Sequence, residues 1–428
     1  MFSSPEMILL VLVVVYIAAK ALKISTELSM FFAAVAGALA GGYGIPARHI
    51  VEGAFTYFDI ILIFVTATLF MNFLKESGGI AFVVRGIIRR FHRSKVMLYV
   101  LITFILLLPG ALTGAGSVTV LITGGMIAVV LHTMGISKPK TAAIIFILAG
   151  LSAAAPPVSL WAMLTAAGVN MPYIGFFLPL LIPCVLLALL TIFILGWKGK
   201  MKDVNKALAG LPEVPERMNG LRVTAPFLIF FALVVAGRVW PHSLPIFGLP
   251  LMFVAAAVTT VALSPIRLDI LRISRETVHQ LLPLIGTLTC VGILVQIMTL
   301  SGVRGLIAIT VVTLPVIVVF LTLFFTLPIS EAVLMWGAAP VLGVPLVLLF
   351  NTINLDPVVA LAGMSIIWPL GDALPPTAII GRLTKDTVDM KEPYGHMLKH
   401  CIVPAVIIMV AGTLMVMFSD KLSFLTRF

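Results

Sequence analysis

Charge is scarce in this sequence. Lys, Arg, Asp and Glu make up 11% of its 428 residues, against roughly 25% in ordinary soluble domains. With 61% hydrophobic residues and a mean hydropathy of +1.18, a soluble globule is excluded. Cysteine is also scarce. Cys184, Cys290 and Cys401 lie in apolar runs without paired spacing, so neither a disulfide framework nor a cysteine metal site is indicated. His132, His279, His396 and His400 are scattered near the ends of apolar runs, again without metal-ligand spacing. No phosphate-binding glycine loop, ATPase motif or nucleophile elbow occurs, so no cofactor and no enzymatic activity are expected, and any work done is expected to come from an ion gradient. Acids are outnumbered 17 to 28, for a net charge of +11. In a membrane protein such an excess reflects basic cytoplasmic loops and contact with anionic lipid, and nucleic acid is not an expected partner. Residues 1–22 have no basic start before their apolar core, so an uncleaved first span is expected in place of a signal peptide.

What is present is a succession of apolar segments of spanning length. The spacing predicts scaffold spans at 5–22, 26–45 and 57–75, then a helix lying in the interface at 78–93. There Ile80, Val83, Val84, Ile87, Ile88 and Phe91 oppose Arg85, Arg89 and Arg90. The run 96–133 is too long for one crossing, because 38 residues at 1.5 Å each reach about 57 Å, nearly twice the hydrocarbon core. It is interrupted at 109–117, so a re-entrant hairpin is expected. A span at 141–168, broken at Pro156-Pro157, and a span at 172–197 close the first half. Residues 198–222 are hydrophilic and read as a cytoplasmic linker. The second half follows the same order: scaffold spans between 223 and 300 (223–240, 246–264, 280–300), a short segment at 302–312, a hairpin at 314–350 interrupted at 326–331, a broken span at 355–380 and a last span at 398–418, before an external tail at 419–428.

The two halves carry marks at constant offset. Pro109 and Pro328 are 219 apart, as are Pro156-Pro157 and Pro375-Pro376, while Ser77-Gly78 and Ser301-Gly302 are 224 apart. Each half holds about five crossings plus a hairpin, and an odd number inverts the second half relative to the first. The expected fold is therefore an all-α polytopic membrane protein of two inverted repeats, 1–197 and 223–418, with discontinuous helices meeting at the midplane. With the amino terminus outside, only Arg48, Arg238, Arg304, Lys421 and Arg427 of the 28 basic residues fall on the outer side, as the positive-inside rule asks.

Four interruptions are expected to converge: the hairpin tips and the breaks at 153–159 and 371–378. Irregular backbone at membrane depth is tolerated where it lines a buried or wet cavity. Helix starts there suit an anion, and unwound carbonyls with hydroxyls suit a cation such as sodium. The candidate substrate- and ion-binding residues are Thr113, Gly114, Gly116, Ser117, Ala155, Pro156, Ser159, Ser330, Glu331, Gly371, Asp372, Pro375 and Thr377, with Gly114, Ser117, Ser159, Gly371 and Thr377 as a possible sodium set. Any one hydroxyl could equally serve helix packing. Asp372 and Glu331 stand apart, because an ionisable residue at membrane depth is costly. Trp161, Trp336 and Trp368 lie near the breaks. No arginine falls within them, so no bidentate carboxylate clamp is visible.

These residues resemble the large membrane subunit of tripartite ATP-independent periplasmic (TRAP) transporters, within the wider ion transporter superfamily. The resemblance is clearest from Asn72 to Leu190: Ser77-Gly78-Gly79-Ile80, Gly114-Ala115-Gly116-Ser117, Pro156-Pro157 followed by Ser159, Gly168-Val169 and Pro183. In the second half Ala339-Pro340 and Gly371 to Pro376 follow the family more loosely. The sequence departs from the family where Val158 displaces Ser159 from the proline pair and Leu374 precedes the second pair with Thr377 after it. The resemblance implies an elevator mechanism in a bacterial inner (cytoplasmic) membrane, moving sodium ions and a small organic acid. It also implies a small four-span membrane subunit and a periplasmic substrate-binding protein as partners. The extra acids Glu331 and Asp372 leave room for a stand-alone symporter or antiporter driven by protons or sodium. More remotely, they allow an intramembrane hydrolase built on an acid dyad.

Overall fold

The computed structural model of the chain describes residues 4–240 and 247–427. The chain is a polytopic membrane protein, helical throughout, without a strand among the described residues. Among the described residues, eight helices are long and apolar enough to cross a membrane. Length alone counts hairpin arms such as Lys95–Thr113 and Gly116–Thr133 among these, while Thr26–Ala40 and Leu249–Leu263 are shorter.

Helices form where the apolar runs of the expected scaffold lie: Pro5–Ala21, Thr26–Ala40, Phe58–Glu76, Gly220–Val239, Leu249–Leu263 and Ile270–Leu300. Residue 246, the expected start of one span, and residues 1–3 and 428 at the termini lie outside the described residues. Asn219 and Asp269 cap their helices by accepting from the amides of Arg222 and Arg272, replacing bonds the first turn cannot make internally. The two halves meet through aromatic packing, with Phe70 edge-on to Phe227 at 5.3 Å and stacked on Phe253 at 6.5 Å. Asn72 adds a hydrogen bond to Thr277 at 2.8 Å, the kind of interhelical polar link membrane bundles use. The helix expected to lie in the interface spans Gly79–Phe91, launched by Gly78 in the left-handed region. Its Arg85 donates to the carbonyls of Leu208, Leu211 and Pro212 in the linker.

The remaining elements form the interior. Lys138–Ala154 is apolar all round and correspondingly buried along nearly its whole length. Two of the expected interruptions prove narrower than the sequence suggests. Pro109 and Pro328 sit inside continuous helices, Lys95–Thr113 and Val316–Leu334, because prolines are tolerated in membrane helices when neighbours satisfy the freed backbone. The turns fall at Gly114 (φ 68°), within the expected 109–117, and at Met335 (φ 53°), beyond the expected 326–331. Ser330 and Glu331 are therefore helical and do not lie on a loop. The second broken span also continues past 380: its return arm is Ile379–Thr387. Arg382, Lys385 and Asp386 conceal this arm from a reading of apolar length, while Ile380 and Thr384 form its buried face.

The halves share local features 219 residues apart. Single turns of π-helix occur at Val120–Gly124 and Ala339–Gly343, and the helices Gly125–Thr133 and Leu160–Gly168 have counterparts at Val344–Thr352 and Ile379–Thr387. Positive φ occurs at Gly135 and Asn354 and at Asn170 and Asp389, and both Pro-Pro peptide bonds are cis.

Candidate functional site

The second break holds the densest chemistry. Asp356 starts this span by capping Val358 and Val359 at 2.9 and 3.0 Å. The helix Pro357–Ile367 then tightens into a 3-10 turn, Trp368–Ala373, and becomes extended at Leu374 before restarting after Ala378. Tyr394 donates to the carbonyl of Ala373 at 2.7 Å, and Thr377 donates to that of Ala332 at 2.9 Å. Both bonds satisfy carbonyls that helical pairing has left free.

The 3-10 turn packs on the helix carrying Glu331. A side chain on Gly371 would place its Cβ 2.6 Å from Cβ of Glu331 and 3.0 Å from the amide of Ala332, so glycine is what allows this approach. Glu331 and Asp372 are thereby brought side by side, 0% and 2% exposed. Both Glu331 oxygens and Oδ2 of Asp372 lack a hydrogen-bond partner, and neither residue has a salt-bridge partner among the described residues. Trp161 lies close enough to interact with Glu331, yet its indole N–H completes no hydrogen bond of normal geometry and is itself unpartnered. Burying adjacent carboxylates without compensation costs several kcal/mol per ion. The arrangement therefore suits uptake of a proton or a small cation between them.

The first break is built differently. The amide of Val158 donates to the carbonyl of Ala111 at 3.0 Å, tying the break to the first hairpin. The amide of Ser159 donates to the hydroxyl of Tyr173 at 3.2 Å. The Ser159 side chain is fully buried and its Oγ is unpartnered, which fits an oxygen reserved for a cation. Pro156 and Ala155 are buried around it, whereas Pro375 and Pro376 at the other break are exposed.

The breaks and hairpins interlock across the halves. Thr165, on the return arm of the first break, donates to Ala339 at the start of the second π-turn at 3.2 Å. Thr387, on the return arm of the second, faces Gly124 in the first π-turn. Pro369 packs on Gly150 and Ile380 on Gly116. At the ends of these arms, Lys138 bonds Asp389 at 2.8 Å and Arg304 donates to Gly168 at 2.6 Å. The Lys138 contact, a hydrogen bond reinforced by charge, lowers the Asp389 pKa below the usual carboxylate range.

Not every expected ligand is free. Thr113 and Ser330 donate to the carbonyls of Pro109 and Leu327 in their own helices at 2.8 and 2.7 Å, and Thr377 is committed to Ala332. Ser117 is half-buried beside Gly116. Sequence reasoning passed over Tyr173 and Tyr394, because a tyrosine far along the chain gives no sign that it will latch a break. It also missed the buried Thr119–Ser152 pair, 2.8 Å apart. No cluster of three or more His, Cys, Asp or Glu occurs among the described residues. A cavity of about 560 Å³ lies where Lys75, Leu121 and Met126 meet the linker at Pro212 and Pro215.

No protein-family model matches the chain, and no curated protein matches it by sequence. Solved structures do match. The Alcanivorax borkumensis YdaH transporter superposes over 90% of this chain and 90% of its own with a TM-score of 0.62 at 14% identity. Neisseria gonorrhoeae MtrF, described within a class of antimetabolite efflux pumps, superposes over 89% of this chain and 84% of its own with a TM-score of 0.60 at 13% identity. At such identities the likeness establishes a fold shared with membrane transporters.

Proposed function

We propose that this chain is a secondary active transporter that couples movement of a small organic anion to a cation gradient. The observation that carries the reading is the pair of buried, unpartnered carboxylates, Glu331 and Asp372, held where a broken span meets a hairpin. Transporters gather such irregular backbone around a midplane site. The transporter fold of the solved neighbours supports the general class and weighs against the acid-dyad hydrolase, although that reading would also need paired carboxylates.

The two hairpins and two broken spans act as an elevator core moving against the scaffold, in an inner membrane with the amino terminus periplasmic. The matched features at 219-residue spacing support an inverted repeat. Sodium is the first candidate for the coupling ion, held by Ser159, Ser117 and the backbone at Gly114 on one side and by Gly371 on the other, where Thr377, its proton given to Ala332, still has an oxygen lone pair to offer, as a TRAP-type subunit working with a small membrane partner and a periplasmic binding protein would require. The unpartnered acids favour a second reading, a stand-alone symporter or antiporter in which Glu331 and Asp372 carry a proton.

Cation binding is testable without knowing the substrate, because Trp161 sits beside Glu331. Intrinsic fluorescence of the purified protein is titrated with sodium chloride against choline chloride at fixed pH, then with pH at fixed salt. A saturable sodium response supports the first reading, and a response to pH alone supports the second. Silence to both, together with wild-type uptake by Asp372→Asn, removes the cation site.

A further inference from the structure

A second site lies at the basic end of the molecule, remote from the breaks. Where the span Phe177–Gly196 ends, a groove of about 500 Å³ is lined by Phe193, Ile194, Leu195, Trp197 and Lys198, and closed by Lys140 from the first turn of Lys138–Ala154. No acid lines it. Trp197 is 69% exposed, and its ring is held from one side by Lys95, whose ammonium stands 4.9 Å from the ring centre and also donates to the Trp197 carbonyl. The helix start carrying Lys140 has no side-chain cap, so its positive end adds to the lysine charge.

The groove continues into an apolar track. Ile182, Leu186, Leu190 and Ile194 are all substantially exposed and recur every fourth residue, so they line one face of the span. A cationic pocket with an exposed indole at the end of such a stripe matches one ligand chemistry at both ends: an anionic headgroup above and an acyl chain below. We propose that this groove binds an anionic phospholipid, with Lys140 and Lys198 on the phosphate and Trp197 at the glycerol level.

The test uses the full-length protein purified in neutral detergent, with dioleoyl phosphatidylglycerol, dioleoyl phosphatidylcholine or inorganic phosphate added to separate samples. Phosphatidylglycerol is expected to raise the thermal midpoint by several degrees, with no comparable rise from the other two. Lys140→Gln with Lys198→Gln is expected to lose most of that rise, while Arg89→Gln with Arg90→Gln on the interfacial helix keeps it. A rise that survives in the first double variant overturns the site. So does an equal loss in the second, which would indicate diffuse charge attraction, or an equal rise with phosphate, which would indicate an anion site without lipid. Should the first variant not fold, native mass spectrometry of the wild-type chain decides: preferential retention of phosphatidylglycerol supports the site, and equal retention of phosphatidylcholine refutes it.

Discussion

Asp372 and Glu331 are the residues on which the reading turns, and their energetics separate function from stability. Breaking a buried ion pair is strongly destabilising, but replacing an unpaired buried acid with its amide removes a cost and leaves no partner stranded. Asp372→Asn is therefore expected to insert and melt at or above the wild-type temperature while transport falls at least about tenfold, the effect of roughly 1.4 kcal/mol. A thermal melt paired with proteoliposome uptake checks both halves of this expectation. Unchanged uptake with unchanged ion dependence would make Asp372 a structural group. Gly371 tests the approach that brings the acids together. Alanine there would press on Glu331 and the Ala332 amide, at a cost of about 1–3 kcal/mol for an overpacked site. Gly395→Ala meets open space and serves as the control, read by thermal denaturation of both variants.

At the scale of elements, each break is a helix end that something else must satisfy. Tyr394 does this for the second break through Ala373, and Tyr394→Phe is expected to cost about 1 kcal/mol, a typical net hydrogen bond, visible as faster hydrogen exchange at residues 373–378. The Lys138–Asp389 bridge closes the same arm at its outer end. Because the Asp389 pKa is lowered in the fold, its contribution is present above the ordinary carboxylate range and is lost as pH falls through the lowered value. The bridge is exposed, so its effect is small and screened by salt. Asp389→Asn is expected to flatten the acid limb of a pH–stability profile slightly, and only at low ionic strength.

For the whole molecule, an elevator makes a claim about which contacts persist. In a background lacking Cys184, Cys290 and Cys401, cysteines at Gly124 and Thr387 join two parts of the core, where a Cβ on Gly124 lies 3.6 Å from the Thr387 methyl. Cysteines at Gly337 and Val291 join core to scaffold, with a corresponding distance of 2.7 Å. Oxidation of the first pair is expected to leave uptake within about twofold, and oxidation of the second to stop it. Arrest by both pairs, or by neither, would argue against rigid-body movement of this core.

The polytopic all-helical fold, the positions of most helices, the two Pro-Pro breaks and the acid Asp372 were legible in the sequence, because hydropathy and proline placement act locally and the bilayer admits few alternatives. The expected convergence of the interruptions put Glu331 and Asp372 in one neighbourhood, yet their direct juxtaposition was not legible, since the two stand 41 positions apart with a chain reversal between them. Only the packing of Gly371 against that helix decides it. The turns fall at Gly114, inside the expected 109–117, and at Met335, past the expected 326–331, because backbone dihedrals, which composition does not reveal, choose where a chain reverses. The latching tyrosines and the exchange of Thr165 and Thr387 between halves belong to the tertiary structure alone. They depend on which carbonyls the breaks leave open, and that is fixed only once the helices are in place.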